Sequence, residues 1–174
     1  MKRISAYEIA LSALACAFAT IFLTVGVYSS LLLFTGYLFA CLALMLPLAK
    51  NSIRGYVFAY VATCILSLIF GAARFFDLLP FIVFFGLHPL VNELQVKYNW
   101  NRIITFGVKA LWFDGAMYLI WRWIFEATTT IPFIDQYFIP ILLVMGTAFF
   151  FFYDYVMFRS RLLIQRIVKR IKRK

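Results

Sequence analysis

Six long apolar segments constrain the fold of this sequence more than any other feature. They cover residues 7–28, 31–49, 53–72, 76–95, 103–125 and 137–158. Each is near the length of about 20 residues that an α-helix needs to cross a bilayer. The strands of a membrane β-barrel would be about ten residues long and would alternate polar with apolar side chains. The sequence therefore predicts an all-α integral membrane protein whose residues 1–158 form a six-helix transmembrane bundle.

Composition agrees with lipid as the solvent, because 65% of the residues are hydrophobic and only 14% are charged. The net charge of +10 is concentrated at the C-terminus, where eight of the seventeen Lys and Arg residues lie between Arg159 and Lys174. A basic groove for nucleic acid is therefore not predicted. Residues 159–174 instead read as a basic amphipathic tail, with Ile164 and Ile167 on one face and Arg166 and Arg170 on the other. Such a tail is expected to bind the anionic lipids of the inner leaflet.

The distribution of basic residues predicts the orientation. Lys2, Arg3, Lys50, Lys97 and the tail fall on one side of the predicted bundle. Cytoplasmic loops carry an excess of Lys and Arg. We therefore expect a multi-pass protein of the plasma membrane, in bacteria the inner membrane, with both termini in the cytoplasm.

Catalytic machinery is not apparent in the sequence. It has no glycine-rich phosphate-binding loop and none of the common hydrolase or metalloprotease motifs. The three cysteines lie separately within apolar stretches, and a single histidine, His88, does not make a metal site. We therefore predict a protein that is not an enzyme, with no metal and no cofactor. Pro89, which follows the histidine, predicts a kink in the fourth span.

Small residues line one face of the first predicted helix. Ala6, Ala10, Ala13 and Ala17 are separated by four, three and four residues, which places them on the same side. In lipid, small residues allow two helices to approach closely. Two interpretations remain open at this point: the stripe packs within the bundle, or a partner subunit docks on it.

Charged residues within the predicted spans fall into two layers. In the layer nearer the cytoplasm, Lys109 is expected to pair with Asp154, and Glu93 with Lys97. Asp114 lies about halfway along the fifth span and is the best candidate for a buried functional carboxylate, an interhelical hydrogen bond being the alternative.

The outer layer contains a group of residues suited to binding an external ligand, in which arginines would pair with an anion and aromatic rings would stack. The alternative is an interfacial belt of aromatic and basic side chains. With Asp114, the candidate substrate-binding residues are Tyr28, Arg74, Asp77, Asp114, Trp121 and Arg122.

Six short spans, both ends inside, the alanine-striped first helix and the basic C-terminal end together make the chain similar to the substrate-binding S components of energy-coupling factor (ECF) vitamin transporters. The resemblance implies that Ala13 and Ala17, with Ala10 beside them, dock on a transmembrane coupling subunit driven by ATPases. It also implies that a small molecule binds in the outer half of the bundle. No vitamin-specific signature is present.

Two other functions fit the sequence. One is a cell-envelope scaffold similar to the small rod-shape determinant membrane proteins, which would bind envelope enzymes and no small ligand. The other is a lipid-phosphate handling protein, in which Arg74, Arg122 and Asp114 would bind a phosphate-bearing lipid. The three functions differ in what should co-purify: a coupling subunit with ATPases, envelope enzymes, or lipid.

Overall fold

The computed structural model describes residues 5–124 and 136–171, in which every regular element is helical. The α-helices are α1 (Ala6–Tyr28), α2 (Leu33–Leu48), α3 (Ile53–Phe70), α4 (His88–Lys97), α5 (Arg102–Tyr118), α6 (Phe138–Ile141) and α7 (Thr147–Ile171). Tighter 3₁₀ turns occupy Ser30–Leu32 and Ala72–Leu78, and wider π-turns occupy Phe81–Phe85, Leu119–Ile124 and Leu142–Gly146. The predicted all-α class is confirmed for the described residues.

Four continuous helices are long and apolar enough to cross a membrane: Ala6–Tyr28, Ile53–Phe70, Arg102–Arg122 and Phe138–Val168. A fifth candidate is the pair Ala72–Leu78 and Phe81–Lys97, which is bent by 50°. The described residues therefore contain four or five candidate spans. The remaining predicted segment, 31–49, corresponds to α2, whose 16 residues rise only about 24 Å at 1.5 Å per residue. The count of six thus stays a prediction that depends on α2.

The surface of these helices is apolar. Leu31, Ile103, Leu111 and Val144 are all among the large hydrophobic side chains that are exposed. A soluble monomer rarely exposes so continuous an apolar surface, whereas lipid solvates it at no cost. The described helices therefore have the surface expected of a membrane protein.

The described chain divides into two compact units. The first contains the helices up to Leu94 together with α7 from Met157 onward, and the second runs from Gln95 to Val156.

In the first unit, α1 packs against both α2 and α3. Its buried face contains Ala15, Ala19 and Leu23, and the closest approach to α2 is made by two glycines. A Cβ atom at Gly36 would lie 2.7 Å from the carbonyl oxygen of Phe22 and 3.0 Å from Cα of Gly26. Glycine is needed here because the two backbones leave no room for a side chain.

Local capping explains where several helices begin. The Ser5 hydroxyl and the Glu8 carboxylate form a reciprocal capping box at the start of α1. Ser52 accepts a hydrogen bond from the backbone N–H of Gly55 at the start of α3, and Asn101 caps α5 in the same way.

The fourth predicted span is broken at a different proline from the one expected. The 50° bend falls between Leu78 and Phe81, where Pro80 lies, and not at Pro89. Pro89 is the second residue of α4, in the first helical turn, where a missing backbone N–H removes no intrahelical hydrogen bond. The 50° bend near Pro80 was not predicted from the sequence, and the helix is also interrupted by a turn at residues 86–87, just before Pro89.

Candidate functional site

The alanine stripe of α1 faces away from the rest of the described chain. Ala6, Ala10, Ala13 and Ala17 are all exposed, whereas Ala15 on the opposite side is completely buried. Within residues 5–124 and 136–171 the stripe is not covered by another helix, as it would be if it packed within the bundle. It leaves a flat strip of small side chains at the N-terminal end of the first span.

Three of the predicted outer residues lie in the first unit. Arg74 and Asp77 form an ion pair, with 2.8 Å between Arg74 Nε and Asp77 Oδ2 and both side chains partly exposed. The Tyr28 side chain is exposed, and its hydroxyl donates a hydrogen bond of 2.8 Å to the carbonyl oxygen of Phe70. The Arg74 guanidinium is thus partly neutralised by its own neighbour, which reduces the attraction that it offers to an anionic ligand.

The other predicted outer residues lie in the second unit. Trp121 is 51% exposed and Arg122 is exposed, both on the π-turn that ends the fifth span. An exposed tryptophan and arginine at the end of a span fit an interfacial anchor as well as a ligand contact.

Asp114 is buried in the second unit, with 5% of its surface exposed. Its Oδ2 accepts a hydrogen bond of 2.9 Å from the Thr147 hydroxyl, so the interhelical bond that was the alternative for this residue is present. Its Oδ1 has no hydrogen-bond partner among the described residues. A Cβ atom at Gly146 would lie 2.7 Å from Oδ1, so this oxygen rests against the glycine. A carboxylate that is only half satisfied is costly in a low-dielectric interior.

Lys109 and Asp154 form the ion pair predicted from the sequence. Lys109 Nζ lies 2.7 Å from Asp154 Oδ1 and 3.2 Å from Gln95 Oε1, and the lysine is 2% exposed. Gln95 was not foreseen as the third member. Because the lysine is surrounded by acceptors, this cluster reads as a structural connection between α4, α5 and α7.

Glu93 has a different partner from the one expected. Its carboxylate receives two hydrogen bonds from Arg161, of 2.6 Å to Nε and 3.1 Å to Nη2, and Lys97 does not take part in this pair. This bidentate geometry is the strongest form of a carboxylate–guanidinium contact. A narrow pocket beside the pair is lined by residues of α2, α4 and α7, including Met45, Asn92 and Gln165.

The tail is helical as far as it is described, because α7 continues to Ile171. Val168 is buried, whereas Arg166 and Arg170 are exposed. Arg161 belongs to this segment but is held by Glu93. The first turn of the tail is therefore fixed to the first unit, and the exposed arginines follow it.

His88 is fully buried, with its Nδ1 3.4 Å from Asn92 Nδ2 and its ring next to Phe84. Within residues 5–124 and 136–171, no group of three or more His, Cys, Asp or Glu side chains is placed to hold a metal ion.

Sequence reasoning missed a row of hydrogen bonds around the broken fourth span. The hydroxyls of Tyr37 and Tyr56 donate to the carbonyl oxygens of Asp77 and Gly86, and Tyr60 donates to Ile82 at 2.5 Å. Cys41 Sγ donates to the carbonyl of Phe85. Turns that depart from the α-helix leave carbonyls without intrahelical partners, and in a membrane these must be satisfied by neighbouring helices. The only sequence signal was the presence of Tyr37, Tyr56 and Tyr60 within the apolar second and third segments.

Comparisons with protein-family models, curated proteins and solved structures found no match to this chain.

Proposed function

We propose that this chain is the membrane-embedded substrate-binding subunit of an ECF-type importer, which captures a small molecule and delivers it through a coupling subunit powered by ATPases. The observation that carries the proposal is the exposure of the alanine stripe on α1. A lipid-facing helix gains nothing from a strip of four small residues, whereas a helix that docks on another helix gains close van der Waals contact.

The proposed docking face consists of Ala6, Ala10, Ala13 and Ala17. Because the opposite side of α1 is already used to pack on α2 and α3, this face is available to a second protein without unfolding the first unit. The residues proposed to bind the substrate remain Tyr28, Arg74 and Asp77 in the first unit and Asp114, Trp121 and Arg122 in the second.

The proposal also requires both termini to be cytoplasmic, and an even number of spans places both ends on one side. Four continuous helices, the bent pair and α2 would give six crossings. Single cysteines introduced near the two termini should both be shielded from a membrane-impermeant maleimide in intact cells. Labelling of one terminus alone would mean an odd number of spans and would contradict this part of the proposal.

The basic tail would lie against anionic lipid through its exposed arginines, Arg166 and Arg170. This contact would hold the cytoplasmic end of α7 near the membrane. It is separate from the docking face on α1.

The decisive experiment is affinity purification in mild detergent from the native cell, followed by mass spectrometry of the bound proteins and small molecules. The wild-type chain should recover a transmembrane coupling subunit and its ATPases. Replacing Ala13 and Ala17 by Leu should abolish that recovery, because each leucine holds the helices apart. Ala148→Leu is the matched control, since Ala148 is an exposed alanine on α7 and its replacement should leave recovery unchanged.

Two results would contradict the proposal. Recovery of envelope-synthesis enzymes without an ATPase would indicate the scaffold function, which could use the same exposed face. Equal recovery from the Ala13/Ala17 variant and the wild type would show that the face is not a docking surface. The lipid-phosphate function is less favoured because Arg74, one of its expected phosphate ligands, pairs with Asp77.

A further inference from the structure

The other acidic side chains of the described interior each have a basic partner, and Asp114 does not. Asp77 pairs with Arg74, Glu93 with Arg161, and Asp154 with Lys109. Asp114 has no basic partner among the described residues, and its only hydrogen-bond donor there is the neutral Thr147 hydroxyl. A buried carboxylate without a neighbouring positive charge is costly in an apolar interior, and binding a proton or a small cation would remove that cost.

The surroundings of Asp114 restrict the size of that cation. Oδ1 rests against Gly146, where even a methyl group would be 2.7 Å away. Gly146 ends the π-turn Leu142–Gly146, and Thr147 begins α7 immediately after it. Interruptions of this kind in a membrane helix leave backbone carbonyl oxygens available as ligands. With Gly146 this close, the approach to Oδ1 from that side excludes a large organic cation and favours a small ion.

The charge of the site restricts the ion further. One carboxylate neutralises one positive charge, and within the described part of the chain there is no cluster of three acidic, histidine or cysteine ligands that would favour a divalent metal. A carboxylate oxygen can take up a proton. Carboxylate, hydroxyl and carbonyl oxygens together are hard ligands that suit a sodium ion. Among the other ionisable groups of these two helices, Asp154 lies two turns along α7 from Thr147 and pairs with Lys109, and the ring of Tyr118, one turn along α5, contacts the ring of Phe138.

We propose that Asp114, Thr147 and Gly146 form a binding site for a small monovalent cation, a proton or a sodium ion, that neutralises the Asp114 carboxylate within the second unit. The site lies entirely on α5 and the start of α7. It does not depend on the docking face of α1, so it can be tested on the isolated full chain whether or not a partner subunit exists.

The first measurement is thermal unfolding of the purified full-length chain in detergent, in sodium chloride against N-methylglucamine chloride at equal ionic strength. A ligand that binds the folded state alone raises the unfolding midpoint as its concentration rises. For a sodium site, we expect a saturable upward shift for the wild type and loss of that shift in Asp114→Asn. Glu8→Gln, at a partly exposed capping carboxylate of the first unit, is the control and should keep the shift.

The second measurement tests whether the Asp114 carboxyl group is protonated. Dicyclohexylcarbodiimide reacts with protonated carboxyl groups in apolar surroundings, and the modified residue can be located by peptide mass spectrometry. For a proton site, Asp114 should be labelled at near-neutral pH, with no labelling of the same peptide in Asp114→Asn. For a sodium site, labelling should occur in N-methylglucamine chloride and be suppressed by sodium.

The proposal is overturned if the wild type shows neither a sodium-dependent shift nor labelling of Asp114. Both readouts can be obtained from the wild-type chain alone, so the test stands even if Asp114→Asn does not fold. In that event Thr147→Val, which removes the hydroxyl and keeps the side-chain shape, should weaken sodium binding or change the labelling rate of Asp114.

Discussion

The hydroxyl of Tyr56 on α3 donates a hydrogen bond to the backbone carbonyl of Gly86, at the end of the π-turn that interrupts the fourth span. Both residues are buried. The bond shows how this chain tolerates a broken helix in an apolar environment, since a carbonyl freed by the break is satisfied by a neighbouring helix and not by water.

Removing this hydroxyl should destabilise the protein. In Tyr56→Phe the Gly86 carbonyl loses its donor, and an unsatisfied buried polar group costs about 1–3 kcal/mol. We expect a lower unfolding midpoint in detergent. Tyr155→Phe is the matched control, because Tyr155 is exposed on α7 and should show no comparable loss. Equal stability of the Tyr56 variant would mean that the Gly86 carbonyl finds another donor.

Removing one partner of the Lys109–Asp154 pair should destabilise the protein strongly, whereas replacing both residues by apolar ones should have a much smaller effect. Lys109→Met leaves the Asp154 charge buried, and removal of one partner from such a pair costs about 3–5 kcal/mol. The double variant Lys109→Met/Asp154→Leu removes both charges and should recover most of that stability. The measurement is chemical unfolding of both variants in detergent. A double variant that is less stable than the single one would show that the pair contributes net stability.

The close Gly26–Gly36 contact predicts that alanine destabilises the protein at Gly36 but not at Gly115. Gly36→Ala places a Cβ 2.7 Å from the Phe22 carbonyl and should force α1 and α2 apart, at a cost of about 1–3 kcal/mol. Gly115→Ala is the control, since a Cβ on that glycine would meet no atom within 4 Å, and it should be neutral or slightly stabilising. Thermal unfolding of the two variants tests the contact directly.

The Glu93–Arg161 pair predicts how firmly the tail is held. Arg161→Gln removes two charge-assisted hydrogen bonds from Glu93 and should loosen α7 beyond Met157. Limited trypsin digestion should then cleave after Arg166 faster than in the wild type. Arg159→Gln, at an exposed arginine two residues earlier, controls for the loss of a cleavage site and should digest at the wild-type rate. Unchanged digestion of the Arg161 variant would show that other contacts hold the tail.

Part of the candidate site could be predicted from the sequence because it follows from charge and depth. Lys109 and Asp154 were expected to pair because two opposite charges at a similar depth in lipid are each costly alone. Other features could not be predicted. Glu93 has a basic residue one turn away on its own helix, yet it binds Arg161, which is 68 residues away, because packing brings α7 closer than the local spacing does.

The sequence by itself determined that this chain forms apolar helices long enough to cross a membrane, because segment length and hydrophobicity are properties of consecutive residues. The tertiary structure alone decided which side of α1 is buried, which proline breaks the fourth span, and which donors satisfy the carbonyls that the break releases. Lipid solvates every apolar face equally well, so hydrophobic pattern does not select the faces that meet. Close packing and hydrogen bonding between distant segments make that choice.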